Sequence, residues 1–226
     1  MTKGSFDLTG GPVWHARALW RRGHMWKDFR HEIEIWLSQW PVRSHELLLI
    51  GPSAGWCLPK NFLRRFSVVH AMDPDPFAAF LFRLNHPRAR LGEWIRKDFF
   101  EDGDAFLAQH PQAAVLFCNV LGQRRYVNRQ IASVEEEMRS IKTRLRGRDW
   151  ASFHDLLSGA GSAGLPVKDL RSALDQATLL SSLDLSGEWL DHLTGDVLPR
   201  TQSRKIIPWQ FADGRLHLVE AGYGTA

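Results

Sequence analysis

Cysteine and long apolar runs are scarce in this sequence of 226 residues. Cys57 and Cys118 are its two cysteines, too few for a disulfide framework and in keeping with a reducing compartment. The first seven residues contain no apolar run of the kind found in signal peptides. No later stretch approaches the ~20 apolar residues that span a bilayer. These absences predict a cytoplasmic protein without a membrane segment.

Concentrated charge is also lacking. Lys and Arg number 29 against 25 for Asp and Glu, and the resulting net charge of +4 is spread along the chain. Dedicated nucleic-acid binders usually carry a basic stripe, so a nucleic-acid partner is not expected. Cys57 and Cys118 are separated by about 60 residues without a paired histidine spacing, which argues against a zinc site. We therefore expect no metal, and a small molecule as the substrate.

The sequence does contain ten tryptophans, in an otherwise ordinary composition with 44% apolar and 24% charged residues. A tryptophan side chain buries a large area and brings one N–H group that needs a partner. A thick core and an aromatic-walled ligand pocket would both use such residues. Composition alone leaves both possibilities open.

Apolar runs without alternation are typical of parallel strands that are covered on both faces. Such runs alternate with helical patterns, and the chain ends in two alternating segments joined by Asp213-Gly214, a hairpin signal. The order predicts an α/β protein, with a Rossmann-like, mostly parallel sheet, helices on both faces and an antiparallel C-terminal hairpin. The predicted strands are 47–50, 68–72, 91–95, 113–117, 150–156, 205–211 and 215–221, and the predicted helices cover 26–40, 76–84, 127–145, 167–180 and 186–193.

We expect a single domain over residues 1–226. It would consist of an N-terminal helical extension (1–41), a cofactor-binding core (45–157) and a C-terminal part (158–226) with a loop at 158–166, helices and the terminal hairpin. In the extension, Trp14, His15 and Arg17 would form a lid over a ligand or anchor the first helix.

The turn after the first predicted strand points to a ligand. Gly51 and Gly55 flank Pro52-Ser53-Ala54, and glycines at such a turn let the backbone approach a ligand closely. Asp73 ends the second strand, 22 residues beyond Gly51 (73 − 51). This is close to the spacing of about 20 residues expected for a carboxylate that binds the hydroxyl groups of a ribose.

On these residues the sequence resembles the class I S-adenosylmethionine-dependent methyltransferases, over roughly residues 46–156. Residues 48–55 are similar to the glycine-rich first motif of that family, and Asp73 falls on its ribose-binding position. Asp98 and Phe99 match the segment that faces the adenine, and Asn119 matches a substrate-side motif after the fourth strand. The resemblance implies S-adenosylmethionine as cofactor, held by Gly51, Ser53, Gly55, Asp73, Asp98 and Phe99, and methyl transfer to a small-molecule acceptor.

A general base would assist such a transfer. His154 and Asp155 end the fifth predicted strand, at the carboxyl edge where α/β proteins bind ligands. We take Asn119, His154 and Asp155 as the candidate catalytic residues, although Asn119 could also be a turn residue and either member of the pair could cap a loop or pair with an arginine. Three further residues, Arg124, Arg125 and Arg129, would grip a phosphate or carboxylate, or would face solvent.

Two other classes of function remain open. Leu49 stands where the methyltransferases usually have an acidic residue, and Ser53 where they have a glycine, which would suit a non-catalytic protein that binds a cofactor or a partner. Residues 51–55 also match G-x-S-x-G, the nucleophile turn of serine hydrolases. Ser53 would then need Asp184 or Asp191 and His217, but His217 lies in an alternating strand, whereas the histidine of a hydrolase triad usually lies in a loop.

Overall fold

In the part of the chain that the structure describes, nine strands form a central sheet in the order β3-β2-β1-β4-β5-β9-β8-β6, with β7 paired to β5. The computed structural model describes residues 11–128, 130–162, 164–170, 175–199 and 204–224. Arg129 and residues 1–10 therefore lie outside the described residues. The strands are β1 (Glu46–Ile50), β2 (Val68–Met72), β3 (Leu91–Ile95), β4 (Ala114–Cys118), β5 (Trp150–Ala160), β6 (Lys168–Leu170), β7 (Trp189–Asp191), β8 (Arg204–Ala212) and β9 (Arg215–Gly224).

The five strands β3, β2, β1, β4 and β5 lie side by side in that order and run parallel to one another. Their positions agree with the predicted apolar runs to within one residue at β1 to β4. Alternation along β1 explains the apolar composition, because Leu47 and Leu49 enter one core cluster while Leu48 and Ile50 enter the cluster on the other face. The prediction of a parallel sheet covered on both faces is confirmed.

The other half of the sheet is antiparallel, since β9 pairs antiparallel with both β5 and β8. The predicted hairpin is confirmed, with Gly214 of its turn at φ +65°. Three predictions were wrong here. Lys168 to Leu170 lie in the helix predicted over 167–180 but form the strand β6, because they pair with β8. β5 continues to Ala160, where a loop was expected from Ser158, because β9 pairs along its whole length. Trp189 to Asp191 form a strand instead of a helix, because they pair with the end of β5.

Helices cover both faces of the sheet. The aromatic residues of α1 and α2 pack on one face, together with α3 and α4. The helices α5 and α7 pack on the other face. The helices are α1 (Gly11–Arg21), α2 (Lys27–Ser38), α3 (Lys60–Leu63), α4 (Ala78–Asn85), α5 (Phe99–Gln109), α6 (Val120–Val127), α7 (Ile131–Arg144) and α8 (Gln176–Ser182).

The helix predicted over 127–145 is two helices, α6 and α7, separated at Asn128. The Asn128 side chain accepts the backbone N–H of Gln130 and donates to Ser133 Oγ, so it competes with helical hydrogen bonding. Val127 and Ile131, which fitted the apolar period, are 60% and 50% exposed. The apolar periodicity of this segment therefore marks a buried helix face only from Val134 onward.

The start of α4 also differs from the prediction, which placed the N-cap at Asp75 and Pro76 at the first helical position. The helix begins at Ala78. Asp75 instead accepts the backbone N–H of Phe77 (2.8 Å) and is held from outside the helix by α1. Within the described ranges, no helix has the length and apolar content needed to cross a bilayer.

Candidate functional site

A cavity of about 510 Å³ lies at the carboxyl ends of β1, β2, β4 and β5, and extends to β8 and β9. Both polar and aromatic side chains line it. The lining includes Trp14, Arg17, Arg21, Trp26, Gly51, Ser53, Trp56, Asp73, Asp75, Asn119, Gln123, Tyr126, Phe153, Asp155, Trp209, Phe211, Arg215 and His217. The aromatic-walled pocket that the tryptophan content left open is therefore present, alongside a thick core.

The turn after β1 presents its backbone to this cavity. Gly51 has φ +64°, and a Cβ there would stand 2.6 Å from the Cβ of Val120, so both conformation and space require glycine. Ser53 also lies in the left-handed region, at φ 51°. Its backbone N–H donates to Asp73 and its Oγ accepts Trp14 Nε1 (3.2 Å), and these bonds hold a residue that lacks the freedom of glycine.

Gly55, the second glycine of the turn, is not among the described residues that line the cavity. It has φ +67°, and a Cβ there would lie 2.4 Å from His86 Nε2. That nitrogen donates to the Gly55 carbonyl oxygen (2.9 Å). Gly55 thus lets the chain pass close to His86, and its link to a cofactor stays a prediction.

Asp73 is buried at the β2 end of the cavity. Its Oδ2 accepts the N–H of Ser53 (2.7 Å) and its Oδ1 accepts the N–H of Asp75 (2.9 Å). Burial raises the pKa of Asp73 to about 6, and the two backbone donors limit the rise. The carboxylate is thus oriented by the turn, and the remaining lone pairs of its oxygens are available to hydroxyl donors.

Helix α1 is attached to this end of the cavity through Asp75. The Asp75 carboxylate accepts the N–H of Gly11 (2.7 Å) and contacts His15 Nε2 (3.1 Å). His15 Nδ1 accepts Trp56 Nε1–H (3.1 Å), so the ring proton lies on Nε2 and points to Asp75. Trp14 and Arg17 line the cavity, and His15 is a buried anchor of the helix. The anchoring use is thus present, and a lid over a ligand stays a prediction.

At the β4–β5 part of the cavity, Asn119, Asp155 and His217 form one hydrogen-bonded group. Asn119 has φ 61°, donates from Nδ2 to Asp155 Oδ2 (3.1 Å) and accepts the Asp155 N–H (2.7 Å). His217 Nδ1 lies 2.9 Å from Asp155 Oδ1. Burial acts to raise the pKa of Asp155, but His217, His192 and Asn119 outweigh it and hold the pKa below its ordinary value.

This pairing determines the tautomer of a neutral His217. An ionised Asp155 accepts only, so Nδ1 of His217 carries a proton, and in the neutral ring Nε2 is the nitrogen with the lone pair. No described residue forms a hydrogen bond to that Nε2, and the ring lines the cavity. Sequence reasoning passed over His217 because it lies in a strand. The usable signal was the alternation Leu216-His217-Leu218, which places the imidazole on the face opposite the leucines.

His154 does not join this group. Neighbouring strand residues point to opposite faces, so Asp155 faces the cavity while His154 is fully buried on the other side of β5. There its Nδ1 is paired with Ser152 Oγ (2.7 Å), and its Nε2 lies 3.4 Å from Glu220 Oε2. The two residues proposed together as a base are thus separated by the sheet.

Asp98 and Phe99 are likewise not among the described residues that line the cavity. Asp98 is the N-cap of α5, accepting the N–H of Phe100 (2.9 Å), and it contacts Arg124 (3.4 Å). Phe99 is buried against Phe117 in an edge-to-face contact, with ring centroids 5.0 Å apart. Their role at the adenine stays a prediction.

The two described arginines that were proposed to grip a substrate do not line the cavity. Arg124 is engaged by Glu137, with two contacts of 2.7 Å, and so holds α6 to α7. Neither Arg124 nor Arg125 is among the described lining residues. Arg17, Arg21 and Arg215 line it instead; Arg17 and Arg215 are exposed, and neither forms an ion pair with a described residue.

Ser53 lacks the partners of a hydrolase nucleophile. Its Oγ accepts Trp14 Nε1, and no described histidine is within hydrogen-bond distance of it. Of the proposed partners, His217 pairs with Asp155 rather than with Asp184 or Asp191, and Asp191 accepts the N–H of Leu193. The described residues therefore provide no general base for Ser53.

A second cluster, Glu46, His70 and His110, has its possible ligand atoms close enough to hold a metal ion. The hydrogen bonds of these three residues account for their closeness without a metal ion. His70 Nδ1 accepts the N–H of Glu93 (3.0 Å), so the proton is on Nε2, which lies 3.3 Å from Glu46 Oε1. His110 Nδ1 lies 2.6 Å from the same oxygen. A ring nitrogen that carries a proton has no lone pair for a metal.

No protein-family model matches the sequence, and no curated protein is similar to it. Among solved structures, the chain is similar to magnesium protoporphyrin IX methyltransferase (ChlM) from Synechocystis PCC 6803 with bound SAM. The identity is 11%, the TM-score is 0.49, and 98% of this chain and 97% of that chain are covered. It is also similar to the N-methyltransferase NodS from Bradyrhizobium japonicum WM9 in complex with S-adenosyl-L-homocysteine, with 13% identity, TM-score 0.47 and coverage of 88% and 87%.

A third likeness is to a chain from the complex between the Haloferax volcanii Trm112 methyltransferase activator and a methyltransferase, with 16% identity and TM-score 0.42. It covers 68% of this chain and 62% of that chain, so this chain spans less than two thirds of that one. The fold is established by the sheet itself: parallel β3-β2-β1-β4-β5 followed by the antiparallel β9 and its hairpin partner β8. This is the Rossmann-like arrangement that the resemblance to class I methyltransferases implies.

Proposed function

We propose that this protein is an S-adenosylmethionine-dependent methyltransferase acting on a small-molecule acceptor. One observation carries the proposal: a single cavity joins the Gly51–Ser53 turn and the buried carboxylate of Asp73 to a histidine oriented by Asp155. Its volume of about 510 Å³ lies within the range of roughly 300–1,000 Å³ that is usual for small-molecule sites. The two free cysteines support the cytoplasmic setting expected from the sequence.

The β2 end of the cavity fits the nucleoside part of the cofactor. Asp73 is buried and oriented, and its carboxylate can accept hydrogen bonds from two adjacent ribose hydroxyls. Gly51 leaves the backbone uncovered beside it, so a ligand can approach the turn closely. Leu49, at the position that is usually acidic, is fully buried in the core and offers no second carboxylate.

The Asp155–His217 pair supplies the base. The sulfonium cofactor brings an activated methyl group together with its own leaving group. His217 Nε2 would accept the proton that the acceptor's O–H or N–H loses as its oxygen or nitrogen bonds to the methyl carbon. Asp155 would stabilise the imidazolium that results, and Asn119 holds Asp155 in place. A base fixed in this way favours catalysis over a purely binding role.

Calorimetric titration with S-adenosylmethionine and S-adenosylhomocysteine tests the proposal. We expect binding by the wild type, weakened by Asp73→Ala by about 1–3 kcal/mol, which is about 5- to 150-fold in affinity. Asp169→Ala is the matched control, because Asp169 is exposed on β6 and should leave affinity unchanged.

Absence of binding by a folded wild type would refute the methyltransferase proposal. Labelling by an active-site serine probe that is lost in Ser53→Ala would point instead to a hydrolase. Binding of S-adenosylhomocysteine that is unaffected by Asp73→Ala would show that the nucleoside lies elsewhere. Cofactor binding without methyl transfer to any acceptor would favour the non-catalytic alternative.

A further inference from the structure

The cavity extends well beyond the cofactor end. From β2, which ends at Asp73, to β9, which carries His217, the sheet order is β2-β1-β4-β5-β9. Four strand spacings correspond to roughly 19 Å across the sheet. The part of the cavity around His217 is therefore the one assigned to the acceptor, and Trp14, which bonds Ser53 and stacks on Phe211, lies between the two parts.

Two arginines lie at this acceptor end. The Arg21 guanidinium lies over the ring of Phe211, 6.0 Å from its centroid, and donates to the Phe211 carbonyl oxygen. Phe211 in turn stacks on His217 with ring centroids 4.6 Å apart. Arg215 lies two residues before His217 on β9, and pairs with Ala212 across the hairpin. Both arginines thus line the same cavity as the proposed base.

These arginines are not matched by acidic groups of the cavity. Asp73 is occupied by backbone N–H groups, Asp75 by His15 and α1, and Asp155 by His217 and Asn119. The Nε of Arg21 is buried without a hydrogen-bond partner, and Arg215 forms no ion pair with a described residue. Such a pair of cations, unneutralised beside a ligand site, favours an anionic ligand group.

The walls beside the arginines are aromatic. Trp14 stacks on Phe211 with an interplanar angle of 18°, and Trp26 and Trp209 contact each other at 5.1 Å. All four rings line the cavity. Flat apolar surfaces of this kind suit a planar ligand body.

We infer that the acceptor is an aromatic compound that carries a carboxylate or phosphate group, which Arg21 and Arg215 bind while His217 takes the proton from its nucleophile. This inference rests on the proposed function for the identity of the reaction. The recognition of an anion by the two arginines can nevertheless be measured on its own.

Benzoate and benzamide are suitable probes, because they share a planar ring and differ in charge. We expect benzoate to bind the protein saturated with S-adenosylhomocysteine at least about tenfold more tightly than benzamide. Arg215→Gln should reduce that preference about tenfold, the cost of one charged hydrogen bond. Arg21→Gln should do the same, and Arg21→Lys should restore part of it. Arg83→Gln, an exposed arginine outside the cavity, is the charge-matched control.

Equal binding of the two probes, or a preference unchanged in both arginine variants, would overturn the inference. Phenyl phosphate in place of benzoate shows which anion is preferred. A carboxylate also belongs to the amino-acid part of S-adenosylhomocysteine, so that compound is compared with 5′-methylthioadenosine, which lacks it. A ratio of these two affinities that collapses in the arginine variants would assign the arginines to the cofactor and refute the acceptor role.

The same titrations without S-adenosylhomocysteine separate this inference from the proposed function. A wild type that prefers benzoate but does not bind S-adenosylhomocysteine would keep the anion site and reject the methyltransferase. A wild type that binds S-adenosylhomocysteine but shows no preference for benzoate would keep the cofactor site and reject the anion site.

Discussion

The unusual pKa of Asp73 predicts that cofactor binding depends on pH. Burial raises that pKa from the ordinary value of 3.8 to about 6, which corresponds to roughly 3 kcal/mol in favour of the protonated form. A protonated carboxyl group donates at one oxygen and can no longer accept two ribose hydroxyls beside two backbone N–H groups. Only the ionised form would therefore bind a nucleoside well.

The size of the effect follows from the fraction of Asp73 that is ionised. If only the ionised form binds, the Kd for S-adenosylhomocysteine at pH 5 should be about tenfold higher than at pH 8, with the change centred near pH 6. Trp14 and Trp56 line the cavity, so tryptophan fluorescence can report binding at each pH. Asp73→Asn, which cannot ionise, should bind more weakly at pH 8 and lose the step.

Asp75 and His15 are the titratable neighbours of Asp73, and the Asn variant controls for them. A Kd that stays constant between pH 5 and 8 would refute this reasoning. A step of the same size in Asp73→Asn would assign the pH dependence to another group. Near-ultraviolet circular dichroism at each pH confirms that the fold is intact.

Two further predictions concern stability. Gly51→Ala should lower the free energy of unfolding by about 2 kcal/mol or more, because the new Cβ would meet Val120 at 2.6 Å in a backbone with φ +64°. Gly147→Ala is the control, since Gly147 has φ +80° but open space around it, and should cost only about 1 kcal/mol. Equal losses of stability for the two variants in urea denaturation would contradict the steric argument. Asp155→Asn should lower stability at pH 7 by about 1–3 kcal/mol by weakening the His217 pair. The pKa of Asp155 is lower in the folded than in the unfolded state, so its contribution to stability is present above about pH 4 and is lost as the pH falls further. The free energies of unfolding of variant and wild type should therefore converge on acidification. A difference that did not shrink would count against the pairing.

The parallel half of the fold could be predicted because its strands are apolar on both faces. Ala114 to Cys118 are buried without exception, and burial of this kind leaves a clear mark on the sequence. The three-residue strand Trp189 to Asp191 left none, since it exists only by pairing with Gly159 and its neighbours. Short segments are decided by tertiary partners rather than by local pattern.

The site residues, too, could be predicted where their partners are close in sequence and not where a distant strand brings them together. Gly51 and Asp73 were found because their spacing reflects one strand-turn-helix-strand unit, in which the partners are close in sequence. His217 lies 62 residues after Asp155, its partner, and the two meet only because β9 pairs with β5. His154 was chosen as the neighbour of Asp155 in sequence, and the alternation of a strand placed it on the opposite face.

Helix α1 links the two ends of the proposed site. Trp14 bonds to Ser53 in the turn, and His15 bonds to Asp75, so the helix is held at the nucleoside end. Arg21, two turns further along the same helix, reaches Phe211 at the acceptor end. A rigid helix fixed at one end positions the guanidinium at the other. The contacts of Trp14 and His15 therefore also position an arginine next to Phe211, and under the proposed function cofactor and acceptor recognition would depend on one docked helix.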